Sequence, residues 1–476
     1  MKHKFLKNAS FYFSAKIVSF ICSFFAAVLM GRYLGVSHYG IYSFAIAIGN
    51  ILVVFLNMGA RNFITREIIH QSRFIDRFLG NIFLIRFILV LLMEAGLFIY
   101  LQLSRFDTLT NIVVVVVVNT VFLNSFLMIY FALYRAKEVY TIEILNEIII
   151  SALTVLGYFV ILRSGYRIKT LVLFLLSLSF VQNLILGYRS ARLMNISWTG
   201  SLRRANLKDA VKVFYDTLPF FLTSVFSVIY FRIATIMLRM YCSSWEVGLY
   251  SSAYKFLEMS SYLPDTIVYI LFPILIKQSL KNHKNLVFYY QKVFKFFLLI
   301  VIPLALILNI YSGDVIRLIW GPQFFSAGRP LRVLAFAIIF LFFNYIMGNI
   351  IVALKQEKYL TLNTFITALV NIAANLYFIP RYKELGAAWT TIISEGLFCV
   401  LNYIVISRTL TRQAMPLPVF SRIIGVNILF IVFIRFVSIP SLFVGPLVYL
   451  AFYTGLVLLF RVLDESDYRL ISVNRS

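Results

Sequence analysis

The sequence predicts an all-α, polytopic integral membrane protein of about fourteen transmembrane helices, arranged as two parallel-repeat six-helix lobes followed by a C-terminal helix pair. Three observations carry this expectation. Of 476 residues, 61% are apolar and only 13% charged, which is too little polar surface to coat a soluble globule of that size. Apolar stretches of about twenty residues, the helix length that crosses ~30 Å of hydrocarbon, recur along the whole chain. A pattern also occurs twice: Met30-Gly31-Arg32 followed by Tyr39-Gly40-Ile41-Tyr42-Ser43-Phe44-Ala45, and later Met237-Leu238-Arg239 followed by Val247-Gly248-Leu249-Tyr250-Ser251-Ser252-Ala253. Each copy joins two long apolar segments, so the chain reads as two related halves, and internal duplication of this kind is a hallmark of carriers that alternate access to a central site.

The first six segments, 11–30, 39–59, 80–103, 111–133, 144–162 and 170–186, make an N-lobe over 1–187. A basic stretch, 188–217, carries Arg189, Arg192, Arg203, Arg204, Lys208 and Lys212 and reads as a cytoplasmic linker. Within it, 206–214 has an N-cap candidate in Asn206 and mixed amphipathic character, which predicts a short helix on the inner membrane surface. Segments 218–238, 247–271, 293–311, 331–354, 360–378 and 386–406 make a C-lobe over 218–408. A second echo, Ala132-Leu133-Tyr134-Arg135 after segment four and Ala353-Leu354-Lys355 after segment ten, fits the same register. The offset of six segments is even, so both lobes have one orientation about an axis along the membrane normal. Segments 419–437 and 441–463 fall outside the repeat and belong to an appended region, 409–476; the boundary at Ser438-Ile439-Pro440 is equally readable as a kink in one re-entrant hairpin.

An even count puts both termini on one side. Most of the 44 Lys and Arg residues fall in tails and loops on the side of the N-terminus, so the positive-inside rule places both ends in the cytoplasm. Lys2, Lys4 and Lys7 agree, while Arg163, Arg167 and Lys169 dissent. The formal net charge of +25 is then explained by loops abutting anionic headgroups rather than by a nucleic-acid partner. Cys22, Cys242 and Cys399 have no metal-ligand or disulfide spacing. Trp320 and Trp389 read as part of an aromatic belt. The common motifs of soluble enzymes, a dinucleotide turn, a phosphate loop and a paired-histidine zinc helix, do not occur, so neither catalytic residues nor a cofactor nor a metal is expected.

Ionisable side chains at bilayer depth cost ~2.5 to 3.5 kcal/mol each on the insertion scale, so each needs a cavity, a partner or a route to the interface. The embedded set is Lys16, Arg86, Glu94, Glu147, Arg232, Lys255, Glu258, Asp265 and Glu395. Segment eight is the most informative: Ser251, Lys255, Glu258, Tyr262, Asp265 and Tyr269 fall within roughly an 80° arc of a helix. This stripe reads either as the wall of a water-filled cavity or as a Lys255 and Glu258 pair neutralised at i, i+3 between helices. Lys16 lies on a similar stripe with Asn8, Tyr12, Ser19 and Ser23, but is near enough to the inner face to snorkel. Arg86 carries the same ambiguity, and Arg232 precedes Arg239 by two turns on one helix face. Glu147 and Glu395 read as lone carboxylates bonded between helices, while Asn50 with Asn57 and Asn371 with Asn375 each define one helix face that reads either as interhelical hydrogen bonding or as the lining of a sugar path.

Several runs resemble one family. Leu218-Pro219-Phe220, Tyr230-Phe231-Arg232-Ile233, the Val247 to Ala253 run, Arg32-Tyr33-Leu34-Gly35 and Leu385-Gly386-Ala387-Ala388-Trp389-Thr390 are similar to the Wzx-type oligosaccharide-lipid flippases of the multidrug/oligosaccharidyl-lipid/polysaccharide exporter superfamily. In that family an Asp commonly follows the Arg-Ile pair, where Ala234 stands here. The resemblance implies a bacterial-type inner (plasma) membrane protein that exports a polyprenyl-diphosphate-linked oligosaccharide, an O-antigen, capsule or exopolysaccharide repeat unit. Its partners would be that lipid-linked sugar, membrane lipids, and the polymerase and chain-length machinery of the same pathway. Lys16, Arg86, Arg232, Lys255 and Tyr262 are then candidate substrate contacts, and Glu258, Asp265 and Glu395 candidate coupling or counter-charges. A multidrug cation antiporter of the same superfamily and a membrane polysaccharide polymerase are the competing readings. The first segment offers Lys16 and no acid for cation exchange, and no large outer loop is present for a polymerase acceptor.

Overall fold

The computed structural model describes residues 2–57, 75–137, 139–194, 196–281, 283–410, 417–437, 439–464 and 467; the side chains of 2–16, 75–77, 140, 202, 207–220, 223, 281, 283–284 and 417–420 are outside the description. The described residues form helices and no strands, as expected where no water is present to satisfy a sheet edge or an irregular backbone. In order these are α1 (Lys2–Asn57), α2 (Ile75–Ser104), α3 (Thr108–Ala136), α4 (Tyr140–Arg163), α5 (Ile168–Met194), α6 (Trp198–Arg203), α7 (Leu207–Tyr241), α8 (Ser244–Lys281), α9 (His283–Ile310), α10 (Ser312–Trp320), a 3₁₀ turn (Pro322–Ala327), α11 (Gly328–Ala353), α12 (Glu357–Thr409), α13 (Leu417–Phe436) and α14 (Val444–Leu459).

Among the described residues ten helices are long and apolar enough to cross a membrane. Two of them are each a pair of apolar segments joined through a break: α1 at Gly35 and α12 at Lys383. The remaining apolar segments lie on α13 and α14, an arrangement compatible with fourteen spans. The chain is a multi-pass membrane protein.

By internal contacts the chain divides into two compact units, 1–248 and 249–476. In the first, α1 packs on α3, α4 and α7, α3 packs on α5, and α2 packs on α6 and α7. A core of Leu79, Ile82 and Ile85 from α2 against Ile129, Ala132 and Leu133 from α3 holds the inner part together. Trp198 of α6 donates its indole N–H to the Gly187 carbonyl at 3.0 Å and lies edge-on to Phe83 and Tyr130. The linker is thus pinned by its first part. The surface helix expected over 206–214 is not separate: the helix beginning at Leu207 continues without a break into the seventh apolar segment.

The repeated motif has a steric meaning. Gly35 sits at φ 85°, ψ 173°, a conformation essentially reserved for glycine, and lets α1 turn between its two segments. Gly40 and Gly248, the equivalent glycines of the two copies, then meet: a Cβ on Gly40 would lie 1.8 Å from the Ser244 carbonyl oxygen, and one on Gly248 2.1 Å from that of Val36. Small residues allow two helix backbones to approach in a setting where packing, rather than hydrophobic transfer, drives association. Nearby, Arg239 of α7 lies over the Phe106 ring at 4.6 Å, and Asp107 caps α3 through the Thr110 N–H. Burial alone would raise the Asp107 carboxyl; the bonds from Thr110 and the Arg239 charge outweigh it and hold the group below its usual range.

In the second unit, α11 packs on α12 and α9, and α13 on α14, with α9 touching both. Ser438 itself lies outside the described residues, but α13 and α14 are separate helices to either side of it, and the flanks are tied down: Tyr449 donates to the Val437 carbonyl at 2.7 Å and Tyr311 to that of Ile439 at 2.6 Å. Below, Lys292 and Lys295 of α9 pair with Asp464 and Asp467 beyond α14, with Lys295 and Asp467 both buried. Trp320 departs from the aromatic-belt expectation. It is fully buried, because α10 folds back on the 3₁₀ turn and Phe324 packs against the indole at 5.3 Å; Trp389 stays exposed.

Gly40→Ala and Gly248→Ala are expected to cost folded protein, lowering yield and thermal midpoint in detergent, whereas Gly96→Ala, with open space at its Cβ, leaves both unchanged. Equal midpoints for all three variants would refute the close approach.

Candidate functional site

On α8 the buried seam runs through Ala253, Leu257 and Val268, and the polar stripe lies opposite it. Ser251, Lys255 and Glu258 are partly accessible, and Tyr262, Asp265 and Tyr269 are exposed. Lys255 donates to Glu258 Oε2 at 2.9 Å, with about a fifth of each side chain accessible (22% and 23%). The two readings of the stripe therefore coexist: the pair is neutralised at i, i+3, and it is also reachable. An accessible ion pair of this kind stabilises the helix little.

The stripe does not end on α8. The Tyr345 hydroxyl of α11 lies beside the Ser261 side chain and within electrostatic reach of both Asp265 and Glu395. Asn344, the adjoining residue, donates to Glu395 Oε2 at 2.7 Å and to the Glu395 carbonyl at 3.1 Å. Glu395 is 3% exposed and so is bonded between α11 and α12, as the sequence reading anticipated for a lone carboxylate. Behind it, α12 is closed on itself by neutral amides: Asn371 to Ser394 Oγ at 2.9 Å, Asn375 to Asn371 at 2.9 Å, and Asn363 to Asn402 at 2.9 Å. Polar groups thus occur both on the accessible face of α8, at Lys255, and between α11 and α12, at the buried Glu395. Tyr345 and Asn344 did not emerge from the sequence; an asparagine deep in an otherwise apolar segment was the available signal.

The other candidates lie elsewhere. Arg86 is fully buried in the first unit, bonded to the Ser125 carbonyl, 3.9 Å from Met128 Sδ and 5.9 Å from the Phe126 ring centre, so the helices α2 and α3 enclose it. Arg232 is partly buried on α7, two turns before Arg239. Lys16, with Asn8 and Tyr12, lies outside the described side chains; Ser19 of the same stripe bonds Ser151 at 2.7 Å. Arg135 and Glu143 form a buried, two-pronged pair that joins α3 to α4 and has a structural role. No cluster of three or more His, Cys, Asp or Glu residues that could hold a metal occurs among the described residues.

This arrangement of accessible charge on a broken-helix scaffold invites comparison with known proteins. A model of the family described as "Polysaccharide biosynthesis protein" matches residues 5–279. The chain belongs to this family. Over 405 residues it is 22% identical to the capsular polysaccharide biosynthesis protein CapF of Staphylococcus aureus, covering 84% of this chain and 98% of that protein. The "Probable low-salt glycan biosynthesis flippase Agl15" of Haloferax volcanii is 22% identical over 333 residues, 66% of each chain. A shorter match, 29% over 154 residues, links it to the uncharacterized membrane protein MJ1068 of Methanocaldococcus jannaschii, of which it spans only 30%. The solved lipid II flippase MurJ, in an inward closed conformation, superposes with a TM-score of 0.77 at 18% identity, covering 94% of this chain and 97% of that one. The fold is therefore that of the exporter superfamily named by the sequence resemblance.

Asn344→Leu should remove a donor from the Glu395 carboxyl and lower stability by about 1 to 3 kcal/mol. Adding Glu395→Leu to that variant should recover most of the loss, as read by thermal unfolding of the purified protein; no recovery would show that the pair is not coupled.

Proposed function

We propose that the chain is a flippase that moves a polyprenyl-diphosphate-linked oligosaccharide, the repeat unit of an O-antigen, capsule or exopolysaccharide, from the cytoplasmic to the outer leaflet of a bacterial-type inner membrane by alternating access. The observation that carries this reading is the accessible Lys255, Glu258 and Asp265 stripe on α8. Charges at bilayer depth that face neither a buried partner nor water would each cost ~2.5 to 3.5 kcal/mol. The stripe thus belongs against an aqueous cavity, and a diphosphate is the anion a lysine there can take. Family membership and the MurJ-like fold support the same conclusion, as do relatives whose names refer to glycan flipping and capsule synthesis. They favour a carrier over an enzyme.

In this scheme the lipid diphosphate competes with Glu258 for the Lys255 ammonium. Opening that pair leaves Glu258, with Asp265 along the same face, to take a proton or cation, so that the diphosphate and the Glu258 carboxylate are the competing claims on one lysine and substrate binding promotes cation uptake. Both termini and the basic linker face the cytoplasm, and Arg232 serves as a supporting cation in the first unit, with Lys16 of the first segment a further candidate contact. An inside-negative potential favours outward passage of the anionic headgroup by ~2.3 kcal/mol per charge per 100 mV.

In a strain deleted for the chain, lipid-linked oligosaccharide should accumulate in the inner leaflet. Restoring it as Lys255→Ala should leave protein levels normal and reduce export about ten- to hundredfold, the loss expected for one charge-assisted contact. Unchanged glycan display at normal protein levels would refute the assignment. Collapsing the potential in vesicles reconstituted with the wild type should slow flipping, and equal rates with and without it would eliminate the potential as a driving force.

A further inference from the structure

The first unit contains a partly open cavity of about 170 Å³, lined by none of the residues of the charged stripe. Its walls come from α1, α3, α4 and α5, with Ile46, Val117, Ile150 and Leu175 among the apolar lining residues. Its polar groups differ in how they are used. Thr120 and Thr154 donate to carbonyls of their own helices at 2.8 Å, and Tyr42 bonds Tyr158. Gln182 and Ser179, one turn apart on α5, are only 7% and 6% exposed, yet among the described residues neither side chain has a hydrogen-bond partner. Their polar atoms are not among the fully buried unpartnered ones, so these groups open on the cavity, where they can bond whatever fills it.

The lining of this cavity contains no ionisable side chain other than the Tyr42 phenol. A diphosphate would find no cation there and a metal ion no carboxylate. An isoprenoid or acyl chain would fill the space but leave the Gln182 amide unsatisfied. A ligand that combines hydroxyls with apolar C–H faces meets both demands, since the amide and the Ser179 hydroxyl can bond its hydroxyls while the valine, isoleucine and leucine walls cover its ring face.

We infer that this cavity is a neutral sugar-binding pocket, sized for a single ring of the lipid-linked glycan, and that Gln182 and Ser179 are its recognition groups. The inference rests on the flippase reading and adds to it a neutral site in the first unit, where an uncharged sugar is read through hydrogen bonds alone. Specificity among glycans would then come from buried amide and hydroxyl groups that a wrong ligand leaves unpaired.

The test uses the full-length protein in detergent and two probes: the lipid-linked glycan extracted from the deletion strain, and the sugar-free polyprenyl diphosphate. Wild type should bind the glycan-bearing probe more tightly. Gln182→Leu, close in volume but without hydrogen-bonding groups, should weaken that probe about three- to tenfold and leave the sugar-free probe unaffected. Ser179→Ala, the gentler change that stands in should Gln182→Leu not fold, should give a smaller loss confined to the same probe. Wild-type binding of both probes with equal affinity, or variants that bind the glycan-bearing probe as wild type does, would overturn the inference and leave the cavity as a site for water only. A wild type that binds neither probe would instead overturn the flippase reading.

Discussion

Inside a bilayer no solvent is available to a polar group, and this single constraint organises the protein at every scale. Backbone N–H and C=O groups must be satisfied within their own segment, which leaves helices as the structural unit throughout the described residues. It then acts on side chains. Serine and threonine hydroxyls are spent on carbonyls a turn back, as in Thr364 to Leu360 and Thr390 to Gly386. Amides pair across the two arms of α12, Glu395 takes Asn344, and Glu143 takes Arg135. Where the rule is not met, at the accessible stripe of α8 and at the unpartnered Gln182, the exception is informative, because a persistent cost at membrane depth implies a ligand or water to offset it.

The same constraint explains why glycine, rather than charge, joins the repeated halves of the motif. Apolar surface gains little by leaving lipid for another helix, so association depends on how closely backbones approach. Gly40 against Ser244, and Gly248 against Val36, allow an approach that no other residue would permit. The tyrosines and serines that follow each glycine have since diverged. Tyr42 lines the neutral cavity and bonds Tyr158, while Tyr250 bonds Thr391 at 3.0 Å in the second unit. Segment two remains almost uncharged and segment eight bears Lys255, Glu258 and Asp265.

Much of this was legible in the one-dimensional pattern because hydropathy is a local quantity. Each apolar run lies on a helix, and the stripe on α8 was visible because residues three and four apart share a face regardless of what surrounds them. The family could be recognised too, since its short motifs sit at segment junctions. Less legible was anything depending on a partner distant in sequence. Arg86 read as a headgroup contact or a snorkelling cation; it is enclosed by α2 and α3, which only the packing of Ser125, Phe126 and Met128 around it reveals. Trp320 read as a belt residue because outer loops usually present tryptophan to the interface, yet a short turn folded Phe324 over it.

Composition and segment length by themselves determined a polytopic helical membrane protein with a charged face on one helix, since each follows from the cost of placing a given residue in hydrocarbon. Tertiary structure alone decided which of the embedded polar groups are consumed by one another and which are left over. Whether Glu395 meets Asn344, whether Lys255 stays reachable, and whether Gln182 opens on a cavity are facts about the distance between residues far apart in the chain, which no local propensity encodes.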